Sequence, residues 1–93
     1  MVYLITWDLN KEGYNYSITR ERLLNLLSKY DRINDPGLDS VYFIHTYDSP
    51  NQIYNHLSLA FDKNDRLIIT RLIKDTHQGL LDPKIWNWIN ARL

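Results

Sequence analysis

The chain has 93 residues, 44% of them apolar, with eleven basic side chains balanced by eleven acidic ones and no cysteine. That length bounds it to one domain with a single modest core, and zero net charge removes the broad basic footprint of a protein that coats nucleic acid. The lack of thiols excludes disulfide frameworks, thiolate catalysis and cysteine-based zinc sites. No basic leader with a cleavage site opens the sequence, and no apolar run approaches the roughly 18 residues that span a bilayer, so the expected location is the cytoplasm, away from membrane. Three Trp and seven Tyr are more aromatic surface than so small a core hides with ease, which points some of them to an interface.

Val2 to Trp7 is a β-branched and aromatic run that stops at Asp8, and Asn10, Gly13 and Asn15 mark the loop after it. Ser17 offers a cap for a helix through about Tyr30, with Leu23, Leu24, Leu27 and Tyr30 on one face and Arg20, Arg22 and Lys29 pointing outward. Asp35-Pro36-Gly37 is turn chemistry, with Arg32 to Asn34 as a short strand before it. Residues 40 to 47, "SVYFIHTY", form a second clear strand. Ser49-Pro50-Asn51-Gln52 then combines an N-cap serine, proline at the first helical position and glutamine at the third. The helix it starts has a stripe of Ile53, Leu57, Ala60 and Phe61, and the run Asp62 to Asp65 ends it. Residues 66 to 73, "RLIITRLI", make a further strand, and Pro83 to Leu93 a last short helix with Ile85, Trp86, Ile89 and Leu93 on one stripe and Trp88 off it.

The order strand, helix, short strand, strand, helix, strand predicts an α+β ferredoxin-like βαββαβ sandwich over residues 1–74, with two helices on one face of an antiparallel sheet. Residues 75–93 are a C-terminal extension that packs on this body or on a dimer partner. Both faces of the sheet are apolar: Tyr3, Ile5 and Trp7 lie on one side and Val2 and Leu4 on the other, while Val41 and Phe43 oppose Tyr42 and Ile44. Two helices cover one face, so the other needs a cover of its own. A symmetric dimer packing sheet on sheet is the favoured cover, with the tail as its competitor for that role.

"TWDLN" at the end of the first strand, "LDSVYFI" in the third and "DRLIITRLI" in the last resemble the matching segments of a known family. It is the small CRISPR-associated subunit of spacer acquisition that is not the integrase, together with the virulence-associated protein D toxins. The resemblance covers the order of elements over roughly residues 2 to 73. It implies a ferredoxin-like homodimer in which two copies of Asp8 face one another near the dyad and share a magnesium ion for phosphodiester cleavage. The tail "DTHQGLLDPKIWNWINARL" departs from the family's usual ending.

Each candidate residue has a plain alternative. Asp8 is either a hard oxygen ligand for magnesium or a strand-ending residue that accepts hydrogen bonds from loop amides. Ser40 either positions a phosphate as a second catalytic residue or starts a strand with its hydroxyl on backbone. Arg20 and Arg22 on the first helix, and Arg66 and Arg71 on the last strand, are the candidate phosphate contacts, with Tyr14 and Tyr16 as stacking residues; the alternative is a solvated helix face and charged edge positions that block aggregation. His45, His56 and His77 lack metal-ligand spacing. Trp86 and Trp88 either pack in an interface between copies or receive a protein partner. Two functions stand side by side: a magnesium-dependent endonuclease acting on RNA or DNA, and a catalytically silent dimeric binding module of the kind found as a phage or mobile-element accessory. The lone carboxylate and zero net charge fit the second better.

Overall fold

A computed structural model describes residues 1–93. In chain order the elements are β1 (Val2–Asp8), α1 (Gly13–Leu27), β2 (Asp31–Ile33), β3 (Val41–His45), α2 (Pro50–Leu57) with a 3₁₀ turn at Ser58–Ala60, β4 (Arg66–Leu72) and α3 (Pro83–Arg92). The sheet runs β2-β3-β1-β4 with every pairing antiparallel. This is the ferredoxin-like arrangement expected from the order of elements, with β1 at the centre.

α2 begins as its sequence dictates. Ser49 accepts from the Gln52 amide while the Gln52 side chain accepts from the Ser49 amide, with Pro50 at the first helical position. α1 begins a turn before Ser17, at Gly13, which sits at φ +56°; Glu12 precedes it and gives no side-chain cap. Ser17 is therefore inside the helix. The entry is held instead by Lys11, whose ammonium reaches Asp62 at 2.9 Å and Asp65 at 2.6 Å across the fold.

The pleat of β1 divides the core in two. Tyr3, Ile5 and Trp7 join Ile44 of β3 beneath Leu23 and Leu27 of α1 and Ile53 and Leu57 of α2. On the other side Val2, Phe43 and Leu72 pack under Ile85 and Ile89 of α3. The tail of the same chain thus lies on the second face, where the sequence favoured a partner. Ile85 and Ile89 are fully buried there, while Trp86 and Trp88 are both half-buried against the same cluster. Arg92 fixes the end of α3, pairing with Asp31 of β2 at 2.8 Å and lying over the Trp88 ring at 4.1 Å. Asp82 caps the start by accepting from the Lys84 amide, and its own amide donates to Asp35.

α3 covers only one end of that face. At the other end Thr6 stands opposite Ile68 and Asp8 opposite Arg66, and Ile68 remains 60% exposed.

Candidate functional site

Asp8 is the last residue of the central strand, and its side chain is exposed. Its neighbours on β1 are rigid: Ile5 is fully buried and Trp7 nearly so. The loop that follows does not depend on Asp8. Asp65 holds it, accepting the Asn10 amide at 2.9 Å and the Lys11 ammonium at 2.6 Å, with its side chain 1% exposed. Burial pushes the Asp65 carboxyl up, but Lys11 and the amides of Asp62 and Asn10 outweigh it and hold the group below the usual carboxylate range. The same pairing holds Asp62 down and raises Lys11. Nor does Arg66, opposite Asp8 in the ladder, neutralise it: its guanidinium donates to the carbonyls of Lys63 and Asp65. The Asp8 carboxylate is left with no hydrogen bond or ion pair of its own.

Ser40 lies at the same end of the sheet. Its carbonyl accepts from the Trp7 amide at 3.2 Å, one residue short of Asp8, and its backbone sits at φ +58°. That left-handed conformation is unfavourable for a residue with a Cβ by roughly 1–2 kcal/mol, and serine is not among the residues that adopt it with ease. Arg20 reaches this end from α1 and lines a cavity with Ser40, while Arg66 is beside Asp8. Asp8, Ser40, Arg20 and Arg66 therefore gather at one end of the fold. Arg71 does not join them, since it pairs with Tyr3 near the opposite end of β4. Arg22, on α1, lines neither the cavity of Ser40 and Arg20 nor the cleft beside Asp8 and Arg66.

The histidines stand apart from the group. His45 faces Asp31 at 3.9 Å, His56 meets the Leu26 carbonyl, and His77 meets the Ile73 carbonyl while stacking on Trp86. No cluster of three or more His, Cys, Asp or Glu side chains that would hold a metal occurs in one chain.

A crystal structure of Cas2 from Streptococcus pyogenes superposes on the chain with a TM-score of 0.62, covering 86% of this chain and 99% of that one at 21% identity. The fold is that of Cas2. No family model matches the chain, and no curated protein matches it by sequence. The Cas2 likeness therefore speaks for the sheet order and helix layer, and the roles of Asp8 and Ser40 must be argued from their own chemistry. No helix is long and apolar enough to cross a membrane.

Sequence reasoning missed Asp65, which it took for part of a helix-ending turn. A buried carboxylate 55 residues from the Asn10 amide it supports leaves no local pattern. Trp7 lies in the core as expected, its ring tilted by 35° to that of Tyr42 with centroids 5.9 Å apart and its indole N–H buried with no partner.

Proposed function

We propose that the protein is a phosphodiesterase acting on RNA or DNA, working as a homodimer in which Asp8 from each copy serves as a metal ligand. The observation that carries this reading is the free Asp8 carboxylate: the loop-capping role that would explain an aspartate at this position belongs to Asp65. Magnesium is content with one or two carboxylates, completing its octahedron with water and substrate phosphate. In the cleft that Asp8 shares with Thr6, Arg66 and Ile68 it is the one carboxylate of the chain, so that cleft fits the ion only when two copies meet. The uncovered end of the second face, with Ile68 exposed beside Thr6 and Asp8, supports a pairing that would bring the two carboxylates together.

Asp8 from the two copies would hold the ion, which when bound would supply an activated water and charge stabilisation at the phosphorus. Asp8 holds its position because the strand behind it is locked in the core. Arg20 and Arg66 bind phosphate oxygens on either side of the strand tip, and the Ser40 hydroxyl orients one of them. A second reading, a dimeric nucleic-acid or protein binding module without catalysis, is favoured by the zero net charge and by the single carboxylate per chain. The half-buried Trp86 and Trp88 would be its protein-binding surface.

The test incubates the protein and Asp8→Ala with labelled single-stranded RNA and duplex DNA, in magnesium or in chelator. Cleavage by the native protein that needs both metal and Asp8 supports the nuclease. Cleavage that survives chelation or the substitution refutes the Asp8 mechanism, and no cleavage by either protein leaves the binding module.

A further inference from the structure

The left-handed backbone of Ser40 has a cause outside the core. A residue with a Cβ keeps such a conformation only where its surroundings over-determine it, and on one side the Ser40 carbonyl is fixed by the Trp7 amide of β1. On the other side the loop is fixed by Asp35. Its backbone carbonyl accepts from the Leu38 amide at 2.9 Å and its Oδ1 from the Gly37 amide at 2.8 Å, which closes the turn after β2. Its Oδ2 reaches out of the turn and accepts from the Asp82 amide at 2.9 Å, 47 residues away at the start of α3. These amides, that of Asp82 foremost, hold the Asp35 carboxyl below the usual carboxylate range.

The bond to Asp82 joins two segments that close packing does not. Leu38 of the loop and Leu80 and Leu81 before α3 line an apolar cavity of about 270 Å³ together with Leu4, Phe43 and Leu72 of the sheet. Side chains that face one another across open space transmit little, so the contact from amide to carboxylate is what ties this loop to the tail. Asp82 in turn is placed by α3. Its side chain accepts from the Lys84 amide, and Ile85, on the same first turn, is fully buried against the sheet. The other polar tie of α3 to the sheet lies at its far end, from Arg92 to Asp31. A continuous path thus runs from the seat of α3 through Asp82 and Asp35 to the loop that carries Ser40, and from the Ser40 carbonyl to the strand that ends in Asp8.

We propose that Asp35 is a positioning residue that couples the seating of α3 to the Asp8 end of the sheet. With α3 on the second face, the Asp82 amide holds Asp35 and the loop presents Ser40 beside the tip of β1. With α3 lifted away, Asp35 loses that donor, the turn loosens and Ser40 relaxes out of its left-handed conformation. The inference rests on the nuclease reading for its consequence and names a regulation of that site: an occupant that takes the second face from α3 weakens cleavage, and by reciprocity a phosphate seated at Ser40 tightens α3 on the sheet. The coupling itself belongs to the fold and is measured without substrate.

The test uses a pair of substitutions in the full chain. Asp82 has φ −54° and ψ 135°, a conformation that proline adopts, so Asp82→Pro deletes the amide donor along with the cap, whereas Asp82→Ala deletes the cap alone. Asp35→Ala removes the acceptor and serves as the second route if the proline variant does not fold. Amide hydrogen exchange along β1 and the Cα and Cβ chemical shifts of Ser40 are read by NMR. The Trp7 amide is expected to exchange about fivefold faster in Asp82→Pro and in Asp35→Ala than in the native protein or Asp82→Ala, the factor that one ordinary hydrogen bond contributes. In the same variants the Ser40 shifts move away from left-handed values, while the other β1 amides keep their rates. A merely structural loss would speed every β1 amide alike. The proposal is overturned if Trp7 and Ser40 stay as in the native protein, if all β1 amides accelerate together, or if Asp82→Ala has the effect of Asp82→Pro. In a nuclease assay Asp82→Pro and Asp35→Ala are expected to lower kcat/KM about fivefold. Native-rate cleavage by Asp35→Ala with Ser40 displaced overturns the positioning role, and a protein that shows the coupling but cuts nothing refutes the nuclease and keeps the coupling.

Discussion

Replacing Asp65 with alanine removes the acceptor for two backbone amides, Asn10 at 2.9 Å and Asp62 at 3.0 Å, and the shorter of the two carboxylate partners of Lys11. The amides belong to exposed residues and regain water in part, so each loses about 1 kcal/mol, the low end for an orphaned donor. The Lys11 contact is charge-assisted and sits against a side chain that is 1% exposed, which places it in the range of about 1.5–3 kcal/mol. Lys11 keeps Asp62, whose side chain is 54% exposed and offers a weaker, solvated partner. The losses overlap, because all three bonds hold one loop, and a total of about 3 kcal/mol follows. For a domain of this length that lowers Tm by roughly 12–24 °C. Asp65→Asn retains one carbonyl oxygen and loses the charge, and should fall about halfway. Thermal and urea unfolding of the three proteins measure the series. A loss below about 0.5 kcal/mol for Asp65→Ala would refute the claim that this carboxylate holds the β1–α1 loop, and with it the reason for regarding Asp8 as free for other work.

Ser40→Gly relieves the positive φ and should hold or raise stability by up to about 1 kcal/mol while slowing phosphodiester cleavage; denaturant unfolding paired with a nuclease assay checks both signs. Tyr30→Phe removes a buried hydroxyl that has no partner and should be neutral or stabilising by about 1 kcal/mol in urea unfolding. Ile89→Ala, at a fully buried position of α3, should cost about 2–5 kcal/mol and expose the second face, read as lower Tm with increased self-association by light scattering. The pH dependence has two limbs. Asp65, Asp62 and Asp35 have depressed carboxyl values when folded, so the stability they contribute is complete above the ordinary value of about 3.9 and is lost as pH falls through the folded values. Lys11, raised by its hydrogen bonds to Asp65 and Asp62, and Tyr30, raised by burial and then by Asp48, act at the other end: stability is complete below about 10 and is lost as pH rises through the folded values. Urea midpoints measured from pH 2 to pH 11 trace both limbs, and a midpoint that stays flat below pH 4 contradicts the acid one.

The strands and α2 could be read from the chain because their signals are local. β-branched and aromatic runs mark the strands, and the four residues from Ser49 to Gln52 carry a complete helix start. α1 misled at its first turn because its entry is set by Lys11 reaching residues more than fifty positions away, and Ser17 supplied a cap signal that the fold does not use. The stripe of α3 showed that it must bury Ile85 and Ile89, but a helical period says nothing about which surface receives them. At the site, Asp8 was visible as a carboxylate ending a strand. The fact that separates its two readings, the assignment of the loop amide to Asp65, exists only after the chain has folded.

The central place of β1 also has a kinetic consequence. Every bond it makes to a neighbouring strand is distant in sequence, with Val2 opposite His45 on one side and Leu72 on the other. Closing such loops costs entropy before any ladder is formed, and folding slows accordingly. Until β4 and α3 arrive, the strand that carries Asp8 has one edge unpaired and one face bare. A chain interrupted before residue 66 would display both, which makes such an intermediate a target for strand-to-strand aggregation.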